Sequence, residues 1–474
     1  MNPVPAEPDA AGMAALLQRQ RDAFRAAGAP TLAQRRADLR KLKALVLSHR
    51  PAIEAALQQD FGHRSPHETV IMEILPVVQA INHAHRHLRR WMRPERRHVP
   101  LHFQPGRAWV GYQPLGVVGI MAPWNYPLQL ALLPLATAMA AGNRALLKPS
   151  EFTPATSALL QRMLGQGFAE EQVAVVLGDA EVGRAFSALP FDHLLFTGST
   201  PVGRAVMKAA SDHLVPVTLE LGGKSPALIQ PGHPMAQAAA AIAYGKLANG
   251  GQTCIAPDYV LVPQGEVEAF ASAYDTAVRA LYPAGPTSAN YTSVANPRHH
   301  QRLLGLLDDA RARQAKVVEV GVNPGAASQR AHNLPPTLVL NTTDDMAIMR
   351  EEVFGPLLPV VAYQGLDEAI AYINARPRPL ALYFFGDGPG RSQVLARTTS
   401  GNATVNNTLL HYVQDDLPFG GIGPSGMGAY HGVDGFKTLS HAKGVFQQGR
   451  WNLSNLLRPP FGPLADAVLK VMLR

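Results

Sequence analysis

At 474 residues, 47% of them hydrophobic and 16% charged, the sequence has the length of two or three domains and the composition of a globular protein. One cysteine excludes an intramolecular disulfide and any multi-cysteine metal site, and it fits a reducing, cytoplasmic compartment. The net charge of +8 bears on solubility and nonspecific association, so no nucleic-acid partner is expected, and the densest basic run, residues 86–97, reads as a solvated helix face.

The first hundred residues carry apolar positions at three- and four-residue spacing and predict helices over 13–26, 31–49, 50–60 and 66–92, with Thr31 and Pro51 as helix starts. His83 and His87 stand four apart on the last of these, but no third ligand converges in sequence, so no metal is expected. The start of the chain lacks the charged and apolar pattern of an export signal. The most apolar segment, 128–141, is short and carries Pro134, so no membrane span is expected.

The texture then changes. Residues 107–114 alternate and 115–123 form a buried-type strand; apolar runs at 142–149, 172–177, 193–197 and 215–220 follow, separated by helix-length patterns. This is the rhythm of successive βαβ units in a doubly wound parallel sheet. A second series at 227–229, 259–262, 316–320, 336–340, 358–362 and 381–385 predicts a second α/β domain, and the cleft between the two is the default place for chemistry.

Within this frame several short motifs bear on function. In Pro123-Trp-Asn-Tyr-Pro127 the prolines stiffen a loop able to fix the Asn125 amide as donor to a developing alkoxide, although such a pentapeptide also serves as a plain turn. Lys148-Pro-Ser-Glu151 lies at the C-terminal end of a predicted strand, where Glu151 suits a ribose diol and repels a 2′-phosphate, or else is an exposed loop. Phe196-Thr-Gly-Ser-Thr-Pro-Val-Gly203 runs from a strand into a helix, a place for a pyrophosphate, yet Gly198 and Gly203 depart from the usual dinucleotide spacing. Glu220 ends a strand before Gly222-Gly223, where a partly desolvated carboxylate can act as a base. A lone Cys254 is either a core filler or a reagent; Gly250, Gly251 and Thr253 beside it suggest a bare approach to the sulfur.

Taken in order, these motifs together with Glu351-Glu-Val-Phe-Gly-Pro356 and Pro418-Phe-Gly-Gly-Ile-Gly-Pro-Ser-Gly426 resemble the aldehyde dehydrogenases over nearly the whole chain. The short N-terminus and the stretches 60–68, 189–195 and 411–418 look most similar to the class 3 branch and, within it, to bacterial coniferyl aldehyde dehydrogenases. The resemblance implies two doubly wound parallel-sheet domains and a small oligomerisation arm. Residues 1–99 and 115–220 would bind NAD, 221–406 would form the catalytic domain, 100–114 and 407–445 the arm, and 446–474 a tail with an amphipathic helix.

It further implies that Cys254 attacks an aldehyde, that Asn125 and the Cys254 N–H hold the oxyanion, and that Glu220 activates the water that releases the acid. The site must then favour the thiolate. Lys148 and Glu151 would meet the adenosine ribose of NAD, Ser199 the pyrophosphate, and Glu352 with Phe354 the nicotinamide ribose, while Gly198 and Gly203 shape the turn. Tyr126, Thr253 and Thr408 would line the substrate channel, and the enzyme would be a homodimer that turns coniferyl aldehyde into ferulate. A broad aromatic or fatty aldehyde dehydrogenase is the nearer alternative. A cysteine-dependent esterase or thioesterase leaves Lys148, Glu151 and the Gly198–Ser199 turn without use, and a CoA-acylating enzyme has less need of Glu220.

Overall fold

Backbone chemistry sets the first helices. Thr31 caps the helix Leu32–Ser48 with a capping box, its side chain taking the Gln34 N–H while the Gln34 side chain takes the Thr31 N–H. The predicted single helix over 66–92 is instead Pro66–Thr69, a π-turn at Val70–Ile74 and Leu75–Trp91. Pro76 has no N–H to give the preceding turn, which accommodates a wider turn there.

The computed structural model describes residues 9–322, 330–450 and 453–473. Its larger elements form two open sheets. Five parallel strands, in the spatial order Val217–Glu220, His193–Thr197, Val117–Met121, Arg144–Lys148 and Val173–Val175, make the first sheet, and Gly426–Met427 adds antiparallel beside Val217–Glu220. The second sheet runs Lys316–Glu319, Thr337–Leu340, Leu357–Tyr363, Tyr259–Pro263, Pro226–Ile229, Ala381–Phe385 and Asn402–Val405, parallel except for the Lys316–Glu319 edge. Strand order in the first sheet reverses between Val117–Met121 and His193–Thr197, so the loops after Met121 and Thr197 part there and open a crevice. The helix Gln129–Ala141, buried along its whole length, packs behind this sheet.

The expected arm segments are distributed differently. The small antiparallel sheet is Glu95–Arg97, Arg107–Pro114 and Ser440–Gln447, so it reaches past residue 445 and starts before residue 100. Most of 407–439 packs on the main body: Gly426–Met427 joins the first sheet, and Phe436, in the helix Gly432–Thr438, rests on Trp91. These strands are short, edge-placed or polar, which leaves little apolar alternation to read. In the C-terminal helix Pro463–Met472 only Ala465 is buried, with Leu464 and Val471 open; Met1 to Pro8 and Arg474 lie outside the described residues. His83 and His87 pack against each other and against Trp91, and no metal-binding group of three ligands occurs among the described residues.

Candidate active site

The crevice at the strand-order reversal is a cleft of about 720 Å³ lined by Asn125, Gly198, Ser199, Glu220, Cys254 and Phe354, among others. Each arrives from a different element. Asn125 follows the strand Val117–Met121, Gly198 and Ser199 follow His193–Thr197, and Glu220 ends Val217–Glu220, all at the C-terminal edge of one sheet. Cys254 comes from the other domain, three residues beyond the tight turn Ala248–Gly251 that ends the helix Met235–Leu247.

The glycines of that turn work differently from the sequence reading. Gly250 and Gly251 take φ of 62° and 79°, and a β-carbon on Gly251 would strike the Gly355 carbonyl. They allow a left-handed turn against neighbouring backbone and do not clear an approach for substrate.

Among the described residues no cation pairs with Cys254. Burial, then Glu352 and Glu220, push its thiol up to about 12, opposed by the N–H groups of Cys254 and Ile255 aimed at the sulfur. Only those two N–H groups favour the thiolate that the sequence calls for, so the attack draws on a base to take the proton. Glu220 is 3% exposed, neither carboxyl oxygen has a hydrogen-bond partner among the described residues, and burial raises its pKa well above the carboxylate range. Glu352 reaches the same space, because a β-carbon on Gly222 would collide with its carboxylate; burial pushes it up to about 8.

One N–H of the Asn125 amide donates to the Gln252 carbonyl (3.1 Å), and the other is left for the cleft. Trp124, His299 and Phe354 pack into an aromatic wall, with ring centroids 4.6 Å apart for Trp124–His299 and 5.4 Å for Trp124–Phe354. Arg302 holds the Glu352 and Val353 carbonyls. Sequence reasoning missed Trp124, His299 and Arg302 as lining residues; His299 and Arg302 stand on an ordinary polar helix, Pro297–Ala312, which carries no local signal.

The remaining predicted residues divide. Lys148 pairs with Glu151 (3.1 Å) one strand over from Met121, on the same sheet edge but outside the cleft lining. Gly203 lies inside the helix Thr200–Ser211, where a β-carbon would meet Leu221 at 2.6 Å, so it seats the helix on the chain after Glu220 and does not form the turn. Thr408 is fully buried against the helix Met235–Leu247, donating to the Ala241 carbonyl (2.8 Å), and does not line the cleft. Tyr126 and Thr253 bond each other (2.6 Å) behind it. Two further phenols, Tyr412 and Tyr430, lie close enough to Cys254 and Glu220 to couple with them, and the Gln129 amide donates to the Tyr412 hydroxyl.

The helix Thr200–Ser211 begins at Ser199 without a side-chain cap, so its first N–H groups remain free to receive an anion. A half-buried thiol, a carboxylate without a hydrogen bond, a free amide N–H and such a helix start together fit covalent chemistry on a carbonyl beside a phosphate-bearing cofactor. A family model described as "Aldehyde dehydrogenase family" matches residues 5–445. The chain belongs to the aldehyde dehydrogenase family.

Among its relatives, a Pseudomonas aeruginosa protein named "Probable coniferyl aldehyde dehydrogenase" is 52% identical over 462 residues, covering 97% of this chain and 96% of the relative. A "Coniferyl aldehyde dehydrogenase" of Pseudomonas sp. (strain HR199) is 46% identical over 462 residues, covering 96% and 95%. An aldehyde dehydrogenase of Mycobacterium tuberculosis, solved in complex with NAD+, superposes with a TM-score of 0.83 at 28% identity, covering 92% of this chain and 90% of that one. The protein is an aldehyde dehydrogenase, an oxidoreductase that converts aldehydes to acids, and this fold of two α/β domains is the family's. Among the described residues no helix is long and apolar enough to cross a membrane.

Proposed function

We propose that this aldehyde dehydrogenase oxidises coniferyl aldehyde to ferulate with NAD, through covalent attachment to Cys254. The observation that carries the reading is the meeting of Cys254, Glu220 and the free N–H of Asn125 in one cleft at the sheet's reversal point. The relatives' names support the substrate, and the NAD complex of a related structure supports the cofactor.

The Cys254 sulfur adds to the carbonyl carbon while its proton passes to a base, and Glu220, buried without a partner, is positioned to take it. The carbonyl oxygen becomes an alkoxide held by the Asn125 amide and the Cys254 N–H. NAD, when bound, supplies the hydride acceptor that turns this thiohemiacetal into a thioester. The free N–H groups at Ser199–Thr200 suit its pyrophosphate, Lys148 and Glu151 its adenosine ribose, and Glu352 with Phe354 its nicotinamide ribose. Once Glu220 has given that proton up to solvent, it takes another from water, which adds to the thioester; the C–S bond breaks, the acid leaves and the sulfur regains a proton.

The first sheet serves as the NAD-binding unit and the second as the catalytic one. A homodimer through the exposed edge strand Ser440–Gln447, in the cytoplasm, completes the reading. NADH formation followed at 340 nm with coniferyl aldehyde, benzaldehyde, hexanal and decanal, and with NADP in place of NAD, tests it. The highest kcat/KM is expected for coniferyl aldehyde with NAD; a preference for decanal would move the substrate to fatty aldehydes.

A further inference from the structure

We propose that Arg64 and Glu73 form a buried clamp that positions the Asn125 amide and ties its loop to the segment carrying Cys254. The inference rests on the reading of Asn125 as oxyanion donor. Both side chains are completely buried and pair at 3.0 Å, far from any solvent that would screen them. Withdrawing two charges from water costs several kcal/mol per ion, and an apolar pair would fill the same space without that cost. What the charges accomplish here is therefore sought in what else they hold.

Their other hydrogen bonds converge on one loop. Arg64 Nη1 also donates to the Asn125 carbonyl (3.2 Å), and Glu73 Oε2 accepts the N–H groups of Leu128 (3.1 Å) and Gln129 (2.8 Å). Arg64 Nε and Nη2 make no hydrogen bond; the guanidinium lies against the rings of Phe61 (4.6 Å) and Tyr126 (5.1 Å). The Tyr126 hydroxyl in turn meets Thr253 Oγ1 (2.6 Å), the residue before Cys254.

A second set of bonds closes the ring. The Asn249 amide donates to the Asn125 carbonyl (2.9 Å) and to the Gln252 carbonyl (3.3 Å), and the latter also accepts the Asn125 amide (3.1 Å). Asn125 is thus gripped at its carbonyl by Arg64 and at its side chain by the cysteine segment. The π-turn Val70–Ile74 carries Glu73 into this knot, next to Pro76. Arg64 and Glu73 touch neither cleft nor reacting atoms and act through Asn125, as positioning residues.

The test is a double-mutant cycle of Arg64→Lys with Asn125→Ala, read as the single-turnover rate of NADH formation, with NAD affinity measured by fluorescence titration. Arg64→Lys keeps the charge and loses the planar fork. Asn125→Ala is expected to slow the step by roughly 10²–10³-fold. Arg64→Lys should slow it about tenfold in the native background and no further in the Asn125→Ala background, the signature of residues acting as one unit. NAD affinity should not move in either variant.

Losses that multiply would overturn the clamp while leaving the oxyanion reading intact, as would an unchanged rate in Arg64→Lys. An unchanged rate in Asn125→Ala would overturn the oxyanion reading itself and the clamp with it. Should Arg64→Lys fail to fold, Glu73→Gln, which keeps the shape, takes its place in the same cycle with the same criteria.

Discussion

Two buried carboxylates stand on neighbouring parts of the molecule and are treated in opposite ways. Glu73, fully buried, has Arg64 at 3.0 Å and two backbone N–H groups on its other oxygen. Glu220, at 3% exposure, has no hydrogen-bond partner on either oxygen. Burial raises both, Glu73 to about 7 against the pull of Arg64 and Glu220 without opposition. A carboxylate held by an ion pair on one oxygen and two backbone N–H groups on the other holds structure; one with neither, facing a cleft, is available to move a proton. The same contrast separates the 125–129 loop, tied at its backbone by Arg64 and Glu73, from the open space around Cys254.

The sharpest break of this comparison is at the cleft itself. Cys254→Ala should remove aldehyde oxidation by at least about 10⁴-fold while NAD binding, followed by fluorescence, stays within about twofold, because only the nucleophile is lost. Next in size, Glu220→Gln should lower steady turnover by roughly 10²–10³-fold yet leave a burst of NADH close to one per site, since the thioester forms and then waits for water. Equal steady rates in the variant and the parent would remove Glu220 as the base.

Stability reverses the ranking. Glu73→Ala strands the Arg64 charge and should cost about 3–5 kcal/mol in urea unfolding, whereas Glu220→Gln, which exchanges a buried carboxyl with no hydrogen bond for an amide of the same shape, should leave the midpoint nearly unchanged. A smaller effect follows from protons. Because Glu220 and Glu352 are raised in the folded state, the native protein holds more protons than the unfolded chain above the unfolded value near 4.5. Their contribution to stability is therefore present at acid pH and is lost as pH rises from about 4.5 through about 8 for Glu352, so Glu352→Gln should flatten the fall of Tm between about pH 5 and 8. Turnover moves the other way, rising with pH as Glu220 loses its proton, and a steady-state pH profile reads this directly.

The alternation of apolar runs with helix-length spacers was enough to read two α/β sheets, since each parallel strand is buried on both faces and must be continuously apolar. Cys254, Glu220 and Asn125 were legible for a related reason: each sits directly after a strand, or beside glycines, in a short local motif. The edge strands Glu95–Arg97, Asn402–Val405, Gly426–Met427 and Ser440–Gln447 were not, because partly exposed strands need no apolar pattern.

What only the tertiary structure decided is who meets whom. Gly203 turned out to seat a helix on Leu221, Thr408 to pack on Ala241, and Gly251 to pass under Gly355. His299 and Arg302 entered the cleft from a helix with no distinguishing pattern, and Arg64 reached Asn125 from 61 residues away. The sequence by itself determined the elements, whose periodicity is local, and the reagents, whose neighbours are local too. The charge state of Cys254 and Glu220, the free N–H of Asn125 and the clamp behind it come from burial and pairing between distant segments, and those exist only once the chain has closed on itself.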